Sequence, residues 1–137
     1  MPPIHWQPLR MLPTLTAMAE EALADSTDQL SNFRAAQERP YSLDNATIAH
    51  AERVYTEQEQ FLAIYAEQCQ RWQQSTSSPR QQQALSHLAS VVAQATAVNV
   101  AILALLPELK DYTIERLMQK SDLELGIEVL QGRKPRR

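Results

Sequence analysis

A chain of 137 residues, 44% apolar and 21% charged with a formal charge of −3, has the balance of one soluble globular domain with enough apolar content for a real core. Its 2 glycines, Gly126 and Gly132, are too few and too isolated to form a phosphate-cradling loop, which excludes Walker-type and dinucleotide-binding motifs. The single cysteine, Cys69, forms no intrachain bridge and reads as a small apolar residue of a reducing compartment.

Ala, Leu, Gln and Glu dominate, and the dipeptides that make tight hairpin turns are almost absent, so the chain is expected to be all-α. The architecture expected is an antiparallel up-and-down bundle of three long helices plus a short C-terminal helical segment. Residues 1–12 are an extended Pro-rich arm, 13–132 the bundle domain and 133–137 a basic tail. The arm sets Pro2, Pro3, Pro8 and Pro13 around Ile4, Trp6, Leu9 and Leu12, without the basic and apolar regions of a signal peptide. A cytoplasmic protein is expected.

Beyond Pro13, Leu15, Ala19, Ala22, Ser26, Leu30 and Phe33 fall on one stripe of a first helix, which Arg39-Pro40-Tyr41-Ser42 stops. Ser42 is the expected cap of a second helix striped by Ile48, Ala51, Tyr55, Gln58, Leu62, Tyr65, Cys69 and Trp72, with Val54 and Phe61 widening the stripe. The polar run Ser75-Thr76-Ser77-Ser78 then puts a capping residue before Pro79 at the start of a third helix.

That third helix, Pro79 to about Leu106, is the most informative segment. No acidic residue falls between Glu67 and Glu108, and the formal charges in between are Arg71 and Arg80 alone. Two stripes are apolar, Ala84-Leu88-Val91-Ala95-Val98-Ile102-Leu105 and Leu85-Val92-Asn99-Leu106. A further ridge is small throughout: Ser86, Ser90, Ala93, Ala97, Ala101 and Ala104. Small side chains allow a close helix approach, so this ridge is the expected oligomer or partner interface, with the helix either central in the bundle or shared between two copies. The apolar run Val91 to Leu106 is interrupted by Gln94, Thr96 and Asn99, too short and polar for a comfortable membrane span, and no membrane association is expected. Asn99, with Tyr55, Gln58 and Thr96, forms a candidate polar layer that fixes register within an apolar core. By spacing alone, Asn99→Leu is expected to be neutral or stabilising.

Pro107 is expected to end the third helix. Asp111-Tyr112-Thr113 leads into Ile114 to Met118, and Ser121-Asp122-Leu123-Glu124 reads as a capping box before a last helix ending near Gly132. The stretch from Thr113 to Pro135 has a superficial likeness to a repressor-type helix-turn-helix. Lys120-Ser121-Asp122 occupies the turn, however, Gly126 falls inside the second helix, and Glu124 and Glu128 would face phosphates.

Catalytic and metal chemistry find little support. No Glu-x-x-His pair exists for a di-iron site, and in a hairpin of the second and third helices His50 and His87 lie about 26 Å apart by helix rise. His5, His50 and His87 therefore read as surface or hydrogen-bonded residues. Cys69 and His87 are the nearest approach to a catalytic dyad, but nothing activates the thiol. Glu20, Glu21, Asp25 and Asp28 read as a solvated face. The reading is thus a non-enzymatic interaction or adaptor protein without cofactors, binding a protein partner or itself, with a homodimer favoured and Trp6, Trp72 and Tyr65 as candidate anchors. The alternative is a nucleic-acid-associated accessory subunit. Residues 1–132 carry 9 basic and 16 acidic side chains, a formal −7, while Arg133, Lys134, Arg136 and Arg137 supply a +4 tail capable of weak phosphate contact.

Overall fold

A computed structural model describes residues 5–76, 78–119, 124, 126, 127 and 130. The protein is an all-α bundle of three helices, one bent, whose packing is consistent with an up-and-down arrangement. A single 3-10 turn, Leu9–Met11, leads into α1 (Leu12–Gln37), followed by α2 (Asn45–Ser75), α3 (Pro79–Lys110) and the short α4 (Ile114–Gln119).

Helix α1 begins with Pro13 in its first turn, where a missing backbone N–H costs nothing. Its stripe is buried at Leu12, Leu15, Ala19, Ser26, Leu30 and Phe33. Past the end of α1, Tyr41 adopts a left-handed φ of 66°. Helix α2 does not start at Ser42. Its cap is Asp44, whose Oδ1 accepts the Thr47 N–H at 2.7 Å. Backbone pairing explains the shift: Tyr41 N–H donates to the Tyr112 carbonyl at 2.7 Å, and the Leu43 carbonyl accepts Ile114 N–H at 2.8 Å. Residues committed to that pairing cannot also begin a helix. Along α2 the stripe is buried at Ile48, Ala51, Tyr55, Leu62, Cys69 and Trp72, whereas Val54 and Phe61 lie exposed and do not widen it.

Ser78 precedes α3, and its hydroxyl accepts the Gln81 N–H at 3.4 Å. The helix does not stop at Pro107 but runs through it to Lys110. Proline removes one backbone donor and bends a helix, yet the next turn buries Leu109, which holds the chain helical beyond it. Tyr112 N–H then closes on the Leu109 carbonyl at 3.1 Å. Thr113, fully buried, accepts the Arg116 N–H at the start of α4. Of the expected capping box, Ser121, Asp122 and Leu123 lie outside the described residues, as do the helix end near Gly132 and the basic tail, while Glu124 is helical and exposed.

The chain divides into two compact units, each built from stretches of all three long helices. The first comprises Met1–Asp28 and Glu57–Val100. Its core packs Leu12, Leu15, Ala19, Leu62, Cys69, Trp72, Leu85, Leu88, Val91, Val92 and Ala95, with Leu9, Met11, Leu23, Tyr65 and Ala89 against it. Residues of the expected arm join this unit: Gln7 N–H donates to Gln68 Oε1 at 2.6 Å, and Trp72 Nε1 donates to the Gln7 carbonyl at 2.9 Å. The second unit comprises Gln29–Thr56 and Ala101–Arg137. It buries Leu30, Phe33, Ile48, Ala51, Tyr55, Ile102, Leu105, Leu106 and Leu109, with the Phe33 and Tyr55 rings edge to face at 6.5 Å. Lys110 Nζ pairs with Glu52 Oε1 at 2.8 Å, and the Glu115 carboxylate accepts Asn45 N–H, satisfying a free amide at the start of α2.

Candidate functional site: the outer face of helix α3

Ser86, Ser90, Ala93, Ala97 and Ala104 are all exposed, so the ridge of small residues does not pack inside its own unit. Ala101 departs from the ridge and is half-buried. At 100° per residue it sits about 60° from the line through Ser86 and Ala104, whereas Val100 falls on the other side of that line and nearer to it. Val100, 55% exposed, takes the place expected of Ala101. The seam of positions 86, 90, 93, 97, 100 and 104 alternates steps of four and three. Sequence reading missed Val100 because its selection rested on size, while the spacing that marks it was present.

Two polar side chains beside the seam are bonded within α3 itself. Gln94 Nε2 donates to Ser90 Oγ at 3.1 Å, and the Thr96 hydroxyl donates to the Val92 carbonyl at 2.8 Å. The inner face of the helix is occupied by Leu85, Leu88, Val91, Val92, Ala95, Asn99 and Ile102, all buried. Arg80 and Glu108 bracket a stretch with no formal charge on either face. By length and composition alone, the stretch Pro79–Gln119 is long and apolar enough to cross a membrane, a test that the core helix of a bundle also passes. A third of its most apolar window is buried within the structure.

The polar layer forms around Gln58, which was expected, and Ser26, which was not. Gln58 Nε2 donates to Ser26 Oγ at 2.8 Å and to Asn99 Oδ1 at 3.1 Å. Ser26 and Asn99 are buried, and an amide that meets both gives three helices one shared register. Thr96 lies outside the layer, exposed and bonded to its own helix. Tyr55 is buried in the second unit against Phe33. The layer holds neutral donors and acceptors, suited to holding geometry rather than moving protons.

The aromatic anchors are largely engaged at home. Trp72 is buried with its indole N–H bonded, Tyr65 packs on the first unit's core, and the Arg71 guanidinium lies 4.0 Å over the Trp6 ring. The Cys69 thiol donates to the Leu85 carbonyl at 3.4 Å, and burial pushes its pKa up, so it is held as a thiol and not as a nucleophilic thiolate. His87 Nε2 lies 2.7 Å from Glu20 Oε1 at the surface, which gives one member of the acidic cluster a partner in place of plain solvation. His50 Nδ1 lies 3.2 Å from Arg53. Among the described residues no group of three His, Cys, Asp or Glu side chains is placed to hold a metal ion.

Each unit carries a groove in its surface. One, of about 350 Å³ in the first unit, is walled by Met11, Leu15, Met18, Phe61, Ile64 and Tyr65. The other, of about 330 Å³ in the second unit, includes Asn32, Phe33, Thr47, His50, Val54 and Tyr55. Each groove is lined by a histidine and by hydroxyl-bearing side chains, His5 with Thr14 and Tyr65 in the first unit and His50 with Thr47 and Tyr55 in the second. No protein-family model, curated protein or solved structure matches this chain.

Proposed function

We propose that this protein is a non-enzymatic helical-bundle interaction module that pairs with a second copy of itself through the outer face of α3. The observation that carries the reading is the uncharged stretch between Arg80 and Glu108, exposed along Ser86, Ser90, Ala93, Ala97 and Val100. A solvated helix face normally bears charges, and a face without them is spared the large cost of desolvating a charged group. Small side chains let two helix backbones approach near the short end of the 8–10 Å packing range, so dispersion between backbones adds to modest apolar burial. Ser86, Ser90 and Gln94 on or beside the seam favour a protein surface over lipid as the occupant.

Light scattering at tens of micromolar tests the proposal. The wild type is expected as a dimer and Ala97→Glu as a folded monomer, because the carboxylate would be buried unpaired in the interface. A monomeric wild type, or an Ala97→Glu protein that still dimerises, overturns the reading. A second reading, attachment to nucleic acid, is supported by the sequence of the tail alone, where Arg133, Lys134, Arg136 and Arg137 follow a body of formal −7.

A further inference from the structure

We draw no further inference here: the strongest candidate, the apolar groove along α1 and α2 in the first unit, walled by Met11, Leu15, Met18, Phe61, Ile64 and Tyr65, carries nothing because no observation in the structure shows what covers it.

Discussion

Leu85, Leu88, Val91 and Val92 on the inner face of α3 are large and buried, whereas Ser86, Ser90, Ala93 and Ala97 on its outer face are small and open to solvent. Both faces lack charge, so charge cannot be what separates core from surface on this helix. Side-chain volume separates these two sets, although Ala95 is buried on the inner face and Val100 is exposed on the outer one. A leucine buried whole contributes about 2 kcal/mol from its area alone, while an alanine or serine contributes little and instead allows close approach. The inner face is thus suited to holding the fold together and the outer face to meeting another helix. Stability and association should then respond to different substitutions on one element.

The largest effect expected is at the inner face. Leu88 is fully buried in the first unit's core, and Leu88→Ala should destabilise the fold by about 3 kcal/mol, read as a drop in melting temperature or in the denaturant midpoint. An outer-face substitution of similar helix propensity should stay within about 0.5 kcal/mol. Equal losses on the two faces would show that the division into fold-holding and partner-meeting surfaces is wrong.

Much of this division was legible in the residue pattern, and the misses have definite causes. The stripe Leu85-Val92-Asn99-Leu106 is buried at every position because a seven-residue step returns to nearly the same helix face. Phe61 failed as a widening residue because flanking positions of a stripe are decided by neighbouring helices, which periodicity does not supply. The Ser42 cap failed because backbone pairing of residues 41–43 with 112–114 outweighed a local preference. Pro107 failed as a terminator because Leu109 had core to fill one turn later. In the outer seam, residue size selected Ala101 where angular position selects Val100. Ser26 was seen as part of an apolar stripe, and its partnership with Gln58 across 32 positions carries no local signal.

The next effect concerns the one polar interruption of the inner face. Spacing alone makes Asn99→Leu neutral or stabilising, but Gln58 Nε2 spends one of its hydrogens on Asn99 Oδ1. Removing that acceptor leaves the half-buried Gln58 amide half-satisfied, and the expected outcome becomes a loss of about 1 kcal/mol. The double variant Gln58→Leu with Asn99→Leu should cost less than the sum of the two single changes. Strict additivity in denaturant titrations would show that the two side chains hold no shared energy, and the inner face would then be apolar packing with an incidental amide.

A smaller effect lies away from both faces, at the start of α2. The Thr47 hydroxyl and then the Thr47 amide donate to the Asp44 carboxylate and hold its pKa below the ordinary aspartate value. A lowered folded-state pKa contributes stability that is complete above the ordinary value, roughly pH 4, and is lost as pH falls through the lowered one. Melting curves of wild type and Asp44→Ala should therefore differ at neutral pH and converge in acid. A difference that persists unchanged below the lowered value would mean that the capping bond does not depend on the charge. Self-association through α3 should be untouched by this substitution at neutral pH, since Asp44 lies outside the seam.

The least effect is expected from removing the only strongly basic segment, and a null result there is informative. Truncation after Gly132 deletes Arg133, Lys134, Arg136 and Arg137, a +4 charge that lies outside every apolar stripe. If the outer face of α3 is the contact surface, the truncated protein should dimerise as the full chain does. Its attachment to generic DNA or RNA is a separate matter, because phosphate binding through four cations releases up to about four counterions and weakens steeply with salt. The formal −7 of residues 1–132 repels the polyanion that the tail attracts, so a gel-shift titration should find weak binding at low salt and almost none at physiological salt. Submicromolar binding that resists salt, lost on truncation while dimerisation persists, would place nucleic-acid attachment ahead of self-pairing as the main activity. Loss of the dimer on truncation would instead move the contact surface from the uncharged helix face to the charged terminus.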